Sequence, residues 1–487
     1  MVFLGIDIGS GGTKAILLDK EGKPVQSAEI SYSFDVPQEG WTEHDPEKWW
    51  KASVSALREL FETNDPSKVE AIGVSGQMHS SVLLDSDHNV IRKAILWNDQ
   101  RTAQECEDVL TQIGEEKFRS LTMNTLFPGF TLPKIMWLKN NEPEHYNRLS
   151  TVFMPKDYIN FKLTGMIATE VTDASGTGVF DVYHRQWNRT IIDELGLNPE
   201  WFPQVFESTD IVGRLKSSVA KATGMKEGIP VVAGAADNAA AAVGNGVYEE
   251  GKGLVSVGTS GVVLMPIKNK PEREFLLKTN PSLHIFCHAL PNTWYAMGVT
   301  LTAGESLKWF RQAFEIEEDF QHMLNQVKDV EAGSNGLIFT PYLSGERTPH
   351  NDSKARGVFY GMNLTHRRKH FMRSVLEGVS YSLKDCHELI KHIIQSESFV
   401  VTGGAVKSEA WCQILADVLG VRLKKSGQFE GPAIGAAILA GIGIGHWKTP
   451  GEAAREDIEN VITPDLERNQ IYEEGFEKYR ELYVKLK

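Results

Sequence analysis

Apolar residues along the chain gather into short runs separated by glycine-rich turns. Phe3, Leu4, Ile6 and Ile8 form one run and Ala15, Ile16, Leu17 and Leu18 the next, with Gly9, Ser10, Gly11, Gly12 and Thr13 between them. Two strand-length runs joined by a tight polar turn predict a β-hairpin with a glycine-rich tip. The pattern returns at residues 253–265, where Leu254, Val255 and Val257 lead through Gly258, Thr259, Ser260 and Gly261 into Val262, Val263 and Leu264. Two such hairpins about half a chain apart predict a duplicated domain, one hairpin opening each half.

Between the hairpins the pattern predicts a third strand over 25–34, a helix over 45–62 that carries Trp49 and Trp50, and a buried strand over 69–74. Three strands, a helix and a strand form the ribonuclease-H-like order, a mixed sheet with helices on its faces, in which ligands collect at the carboxyl ends of strands. The second half repeats the plan less visibly. A helix is expected over 301–313, bearing Trp309, and another over 367–394. A strand over 399–401 then runs into Gly403 and Gly404, with Lys407 beyond. The uncharged run 433–445, with four glycines, is too short to span a bilayer and predicts a closely packed buried helix. Residues 465–487 predict a charged amphipathic tail helix.

A length of 487 residues exceeds one ordinary core, and the repeat divides it into an expected 1–245 and 246–487. Hydrophobic residues at 41% and charged residues at 24% are the balance of a soluble globular enzyme. A net charge of −13 argues against nucleic acid or an anionic membrane as partner. The four cysteines, Cys106, Cys287, Cys386 and Cys412, contain no C-x-x-C pair, and the first residues enter a strand with no leader pattern. A cytoplasmic protein is expected.

Candidate chemistry sits at the turns. Glycine-rich tips expose backbone N–H groups to an anion, and Ser10 and Thr13 add hydroxyl donors. Asp7 is a carboxylate inside an apolar strand and calls for a basic partner or a metal ion. A dinucleotide fingerprint is excluded because a strand, not a helix, follows the glycines. The P-loop-like frame at 246–253 lacks the metal-binding Ser or Thr and places Glu249 and Glu250 where phosphates would lie. Gln77, Met78 and His79 follow the 69–74 strand directly. Trp97, Asn98, Asp99 and Arg101 follow another apolar run, a combination suited to a polyhydroxylated ligand, or equally to a salt-bridged loop. Asp237 and Asn238 follow small residues at a strand end and open an alanine-rich helix, so Asp237 is either an N-cap or a carboxylate that a substrate can reach. PKDY is expected to start a helix with Asp157 at its N-cap, TDASGT at 172–177 to form a small-residue turn and 121–133 an irregular loop, and none of the three reveals chemistry by spacing alone.

Taken in order, GQMH, ILWND with Arg101, PGFT with the following PK, PKDY, ADNAA, the GTSG turn, FCHALP, PYLSGERTPHN and GGAVKSEAW resemble the FGGY family of carbohydrate kinases. The resemblance spans nearly the whole chain. It implies two ribonuclease-H-like domains of the actin-like ATPase superfamily flanking a central cleft, with sugar held mainly by the first and ATP by the second. Under it Asp237 is the catalytic base, and Asp7 together with Asp237 organises Mg²⁺. Gln77, Met78, His79, Trp97, Asn98, Asp99, Arg101 and Asn238 contact the sugar. Ser10, Gly11, Thr13, Lys14, Gly258, Thr259, Ser260, Trp309, Gly403, Gly404 and Lys407 hold ATP. The implied reaction is ATP-dependent phosphorylation of a pentulose, D-xylulose at O5, by a homodimer. Ser80 after the histidine departs from the glycine frequent in the family and resembles gluconate kinases, whereas Asn98 favours the pentulose. Ribulose, gluconate or another polyol is the alternative within the class. An actin-like ATPase without a sugar substrate is the alternative outside it.

Overall fold

The computed structural model describes residues 1–268, 272–426, 431–453 and 461–487. They form two compact units.

The first unit is built on a mixed sheet. Its strand order is Ile211–Arg214, Pro230–Val232, Val69–Gly76, Val2–Ile8, Gly12–Asp19, Pro24–Ser31, with Ala235–Ala236 also paired to Val69–Gly76. The first hairpin forms in the expected register, with Phe3 opposite Leu18 and Asp7 opposite Lys14. Val69–Gly76 lies parallel to Val2–Ile8, so Asp7 is level with Ser75 and Ile8 with Gly76. Side chains alternate across a strand, and here the two faces differ in kind. Leu4, Ile6 and Ile8 join Trp49, Leu57 and Val74 in the core. Helix Pro46–Phe61 supplies this face through Trp49, Ala52, Ser53, Ala56, Leu57 and Leu60, spaced by three and four, and Asp45 caps it by accepting the Glu47 N–H.

The opposite face carries Gly5 and Gly73 and meets helix Gly431–Gly443 almost backbone to backbone. A Cβ at Gly5 would fall on the carbonyl of Ala433, and one at Gly73 on that of Ala436. The buried glycine-alanine helix expected at 433–445 is thus present, and it closes the sheet of the first half of the chain. The compact units accordingly are not continuous halves divided at 245/246. The first comprises residues 1–248, 285–294 and 431–453, and the second 249–268, 272–284, 295–426 and 461–487.

The second unit repeats the sheet plan. Gly251–Val257 pairs antiparallel with Gly261–Lys268 and parallel with Ser396–Gly403, as Val2–Ile8 pairs with its own two neighbours. Thr293–Thr300 extends this sheet on one side and Arg422–Lys425 with Val461–Ile462 on the other. Helix Arg368–Lys391 packs close to this unit's backbone: a Cβ at Gly378 would fall on the carbonyl of Phe339. The tail helix Leu466–Leu486 is capped by Asp465. No helix among the described residues is long and apolar enough to cross a membrane.

Two local expectations differ from the structure. TDASGT is not an open turn: Val171–Ser175 is a short helix whose first N–H groups are taken by the Glu170 carboxylate. Asp157 does not cap its helix, which begins at Pro155, but sits in the first turn and accepts the Met154 N–H.

Candidate active site

The carboxyl ends of Val2–Ile8, Val69–Gly76 and Ala235–Ala236 bring together residues far apart in sequence. Asp7 lies at the first of these ends. Ser75 Oγ donates to its Oδ1 at 2.7 Å. Burial pushes the Asp7 carboxyl up in pKa, opposed by the Ser75 hydroxyl and by Lys14. Lys14 is itself paired with Glu29 at 3.1 Å. Asp237 is the first residue of helix Asp237–Gly244, with Ala236 rather than Asp237 at the N-cap. Its Oδ1 accepts the Asn238 backbone N–H at 2.7 Å and the Asn238 side-chain amide at 3.0 Å. Burial, reinforced by the charge of Asp7, pushes Asp237 up to about 7.

The loop after Val69–Gly76 forms the neighbouring wall. Gln77 donates its backbone N–H to Ile8 O at 2.9 Å, which fixes the loop to the first strand. Met78 is buried, with its sulfur 3.9 Å from the Asn238 amide nitrogen. His79 has a left-handed backbone, φ 67, an uncommon conformation for a residue with a Cβ. Two contacts hold it there: its Nδ1–H donates to Gly176 O at 2.7 Å, and its ring stacks on Phe130 at 4.7 Å. A carbonyl can only accept, so the proton on Nδ1 is assigned.

Lys134, which spacing alone did not single out, locks this loop from behind. Fully buried, it donates to His79 O at 2.8 Å and Gly129 O at 2.7 Å, and burial lowers its pKa well below the usual lysine range. It is the lysine of the PGFT-LPK stretch. A lysine inside an otherwise apolar helix start is the sequence signal that could have found it.

The WNDQR cluster divides. Trp97 Nε1 donates to Ser10 Oγ at 2.9 Å, placing the indole against the first glycine turn. Asn98 Oδ1 accepts from the Thr42 hydroxyl at 2.9 Å. Asp99 and Arg101 pair with each other: Arg101 Nε and one Nη meet the two Asp99 oxygens at 2.9 and 2.8 Å, and its other Nη meets Glu43. Both are buried, and the guanidinium lies 3.8 Å over the Trp41 ring. Of the two readings open in the sequence, the salt-bridged loop describes this pair.

The first glycine turn uses its hydroxyls inwardly. Ser10 Oγ donates to Gln77 Oε1 at 3.3 Å, and Thr13, fully buried, meets the Tyr32 hydroxyl at 3.2 Å. Gly11 is exposed at the tip, and a Cβ there would meet nothing. In the second unit, Gly258 and Thr259 are exposed, and their carbonyls accept from Gly304 and Ala303 N–H at 2.7 and 2.9 Å. Ser260 returns its carbonyl to the Gly258 N–H at 3.0 Å. Gly403, with φ 83, pairs with Val257, so the Gly403–Gly404 step lies beside this turn, followed by Lys407 in a short 3₁₀ segment. Trp309 stacks with Phe339 at 6.0 Å.

The N-terminal domain model of the FGGY family of carbohydrate kinases matches residues 2–244, and the C-terminal domain model of the same family matches 253–444. The chain belongs to the FGGY family. A xylulose kinase of Bacillus subtilis (strain 168) is 40% identical, over 99% of this chain and 97% of its own. Two solved structures from Lactobacillus acidophilus, a ligand-bound xylulose kinase and a gluconate kinase, are each similar with a TM-score of 0.92 and 27% identity. Both cover 100% of this chain and 98% of their own. As an FGGY kinase with two mixed α/β units of the actin-like ATPase type, the protein is an ATP-dependent sugar kinase.

Such kinases work with a divalent cation, and the residues present suit one. Asp7 and Asp237 offer oxygen ligands only, as a hard cation prefers, and a cation beside them would relieve the charge of Asp7 that pushes Asp237 up. Among the described residues no cluster of three or more His, Cys, Asp or Glu could hold a metal alone. Phosphate oxygens and water would complete the shell, the usual arrangement for Mg²⁺.

Proposed function

We propose that this kinase phosphorylates D-xylulose at O5, with Asp237 as general base. The observation that carries the reading is the Asp237 carboxyl, held at a helix start beside Asp7 and tuned to about 7 by burial and by that neighbour. A base with a pKa near the working pH combines a useful fraction of the ionised form with enough basicity to take a hydroxyl proton. Asp237 would accept the proton of the primary hydroxyl as its oxygen attacks the γ-phosphorus in line. Met78, His79 and Asn238 would line the approach to that carboxylate, a reading supported by the Met78 sulfur lying 3.9 Å from the Asn238 amide, and Trp97 would add an apolar plane beside the Ser10 turn. Phosphoryl transfer passes through a loose transition state, so alignment and charge stabilisation carry the catalysis. Backbone N–H groups at Gly11 and Thr259 are the groups assigned to the phosphates, with Gly258 shaping that turn and Gly403, Gly404 and Lys407 assigned to the nucleoside side. Mg²⁺ held by Asp7 and Asp237 would supply charge neutralisation when bound. The xylulose kinase relatives support the pentulose.

Gluconate is the second reading, favoured by Ser80 and by the equal similarity to a gluconate kinase structure. The deciding experiment is coupled ADP release with Mg²⁺-ATP against D-xylulose, D-ribulose, L-ribulose, L-xylulose, glycerol and gluconate, with a blank lacking sugar. A dominant kcat/KM for D-xylulose upholds the proposal. Preference for gluconate replaces the substrate but keeps the base, and turnover equal to the blank removes both.

A further inference from the structure

Behind the helix that carries Asp237 lies a buried polar network of Lys156, Asp157, Glu170, Thr172, Asp173 and Ser208, all within 3% of full burial. Four ionisable side chains out of water are expensive unless paired. Here the pairing converges on one point. Lys156 Nζ lies 2.5 Å from Asp157, 3.4 Å from Asp173 and 3.6 Å from Glu170. Burial alone would strip the lysine of its charge, but the three carboxylates outweigh it and hold its pKa above the usual range.

Glu170, sharing that charge, acts as a collector. It accepts the Thr172 hydroxyl at 2.7 Å, the Thr172 and Asp173 N–H groups at 2.8 and 2.9 Å, and the Ser208 hydroxyl at 2.9 Å. Because the carboxylate can only accept, the Thr172 proton points to Glu170, and the Thr172 oxygen is left to accept. It takes the backbone N–H of Ala236 at 2.8 Å. Ala236 immediately precedes Asp237 and is the N-cap of its helix.

We infer that Thr172 is a positioning residue for phosphoryl transfer: its hydroxyl, oriented by Glu170 and the Lys156 charge, fixes the backbone from which Asp237 projects. The inference rests on the reading of Asp237 as the base. Ser208 offers an internal control, because it donates to the same carboxylate yet its hydroxyl makes no bond to residue 236.

The test compares Thr172→Val, Thr172→Ser, Ser208→Ala and Asp237→Asn in the full chain, using the best sugar of the panel, with Tm measured alongside. Displacement of a reacting group by about 1 Å can reduce turnover about 100-fold, and Thr172→Val is expected to lower kcat about 10- to 100-fold on that basis. Sugar KM should stay within about threefold, since Met78 and His79 are held by contacts that do not involve the Thr172 hydroxyl. Thr172→Ser should restore kcat, and Ser208→Ala should keep it even if its Tm falls as far. The inference is overturned if folded Thr172→Val matches Ser208→Ala in kcat, if Thr172→Ser fails to rescue, or if kcat and KM change in parallel. Should Thr172→Val not fold, Thr172→Ala carries the same expectation; if neither folds while Ser208→Ala does, the hydroxyl is a folding element and the positioning role falls. An active Asp237→Asn overturns the base and this inference together, whereas an inactive Asp237→Asn beside an unaffected Thr172→Val overturns the inference alone.

Discussion

An aspartate free in solution titrates near 4, and burial, reinforced by the charge of Asp7, pushes Asp237 up to about 7. Between those values the folded protein holds a proton that the unfolded chain has released, so this group lowers stability progressively as pH climbs from about 4 to about 7. Asp237→Asn removes the penalty. Its Tm is expected to exceed that of the wild type at pH 8, with the difference vanishing near pH 4, while kcat falls about 100- to 10,000-fold, the range usual for a lost general base. ATP affinity, measured by calorimetry, should hardly move. Equal melting temperatures across that window would remove the raised pKa from the argument. The contribution of Asp7 can be separated in the ligand-free protein: in Asp7→Asn, carbon-13 NMR of the labelled carboxyls should show Asp237 titrating below about 7, because burial then acts without the neighbouring charge. An unchanged titration would assign the whole shift to burial.

The elements explain why single glycines here have opposite consequences. Gly435 on helix Gly431–Gly443 faces helix Asp237–Gly244 so closely that a Cβ would fall on the Ala240 carbonyl. Gly435→Ala is therefore expected to lower stability by about 1–3 kcal/mol, the usual range for overpacking, in urea unfolding. It should reduce kcat as well, since Ala240 shares the helix of Asp237. Gly11→Ala, whose Cβ would meet nothing, should keep the unfolding midpoint and raise the KM for ATP; a Gly11→Ala enzyme with unchanged nucleotide kinetics would exclude that turn from the phosphate site. The first hairpin was legible in the sequence because its partners are neighbours along the chain: glycines fix the turn and the apolar runs fix the register. The placement of Asp237, Met78 and His79 at strand ends was legible because Asp237 follows one strand directly and the other two lie in the loop just beyond another. What escaped was non-local. Lys156, Thr172 and Lys134 gain meaning only when distant segments meet, and a carboxylate beside an arginine in WNDQR reads the same whether it waits for a sugar or, as with Asp99 and Arg101, for its neighbour.

At the scale of the molecule, the chain returns late to finish what it began early. The sheet of the first unit shows one glycine-bearing face at Gly5 and Gly73, and helix Gly431–Gly443 covers it. Phe3 completes that face against Trp447, with ring centroids 4.6 Å apart. Residues 1–245 expressed alone would keep the hairpin and its helix Pro46–Phe61 but expose that face, and exposed apolar surface of this extent promotes association. The fragment is expected to be aggregated, or to melt without cooperativity and without near-ultraviolet circular dichroism. Gly244 lies against Gly431, where a Cβ would meet the Gly431 carbonyl, so a short glycine-serine linker can join residue 248 to residue 431. A fusion of 1–248 with 431–453 should then regain a cooperative transition, further strengthened by adding 285–294, which brings Phe286 to 6.0 Å from the His79 ring. If 1–245 alone melts cooperatively with an aromatic circular-dichroism signal like that of the fusion, the late helix is dispensable to the first unit, and the close glycine packing is not what holds that unit's fold.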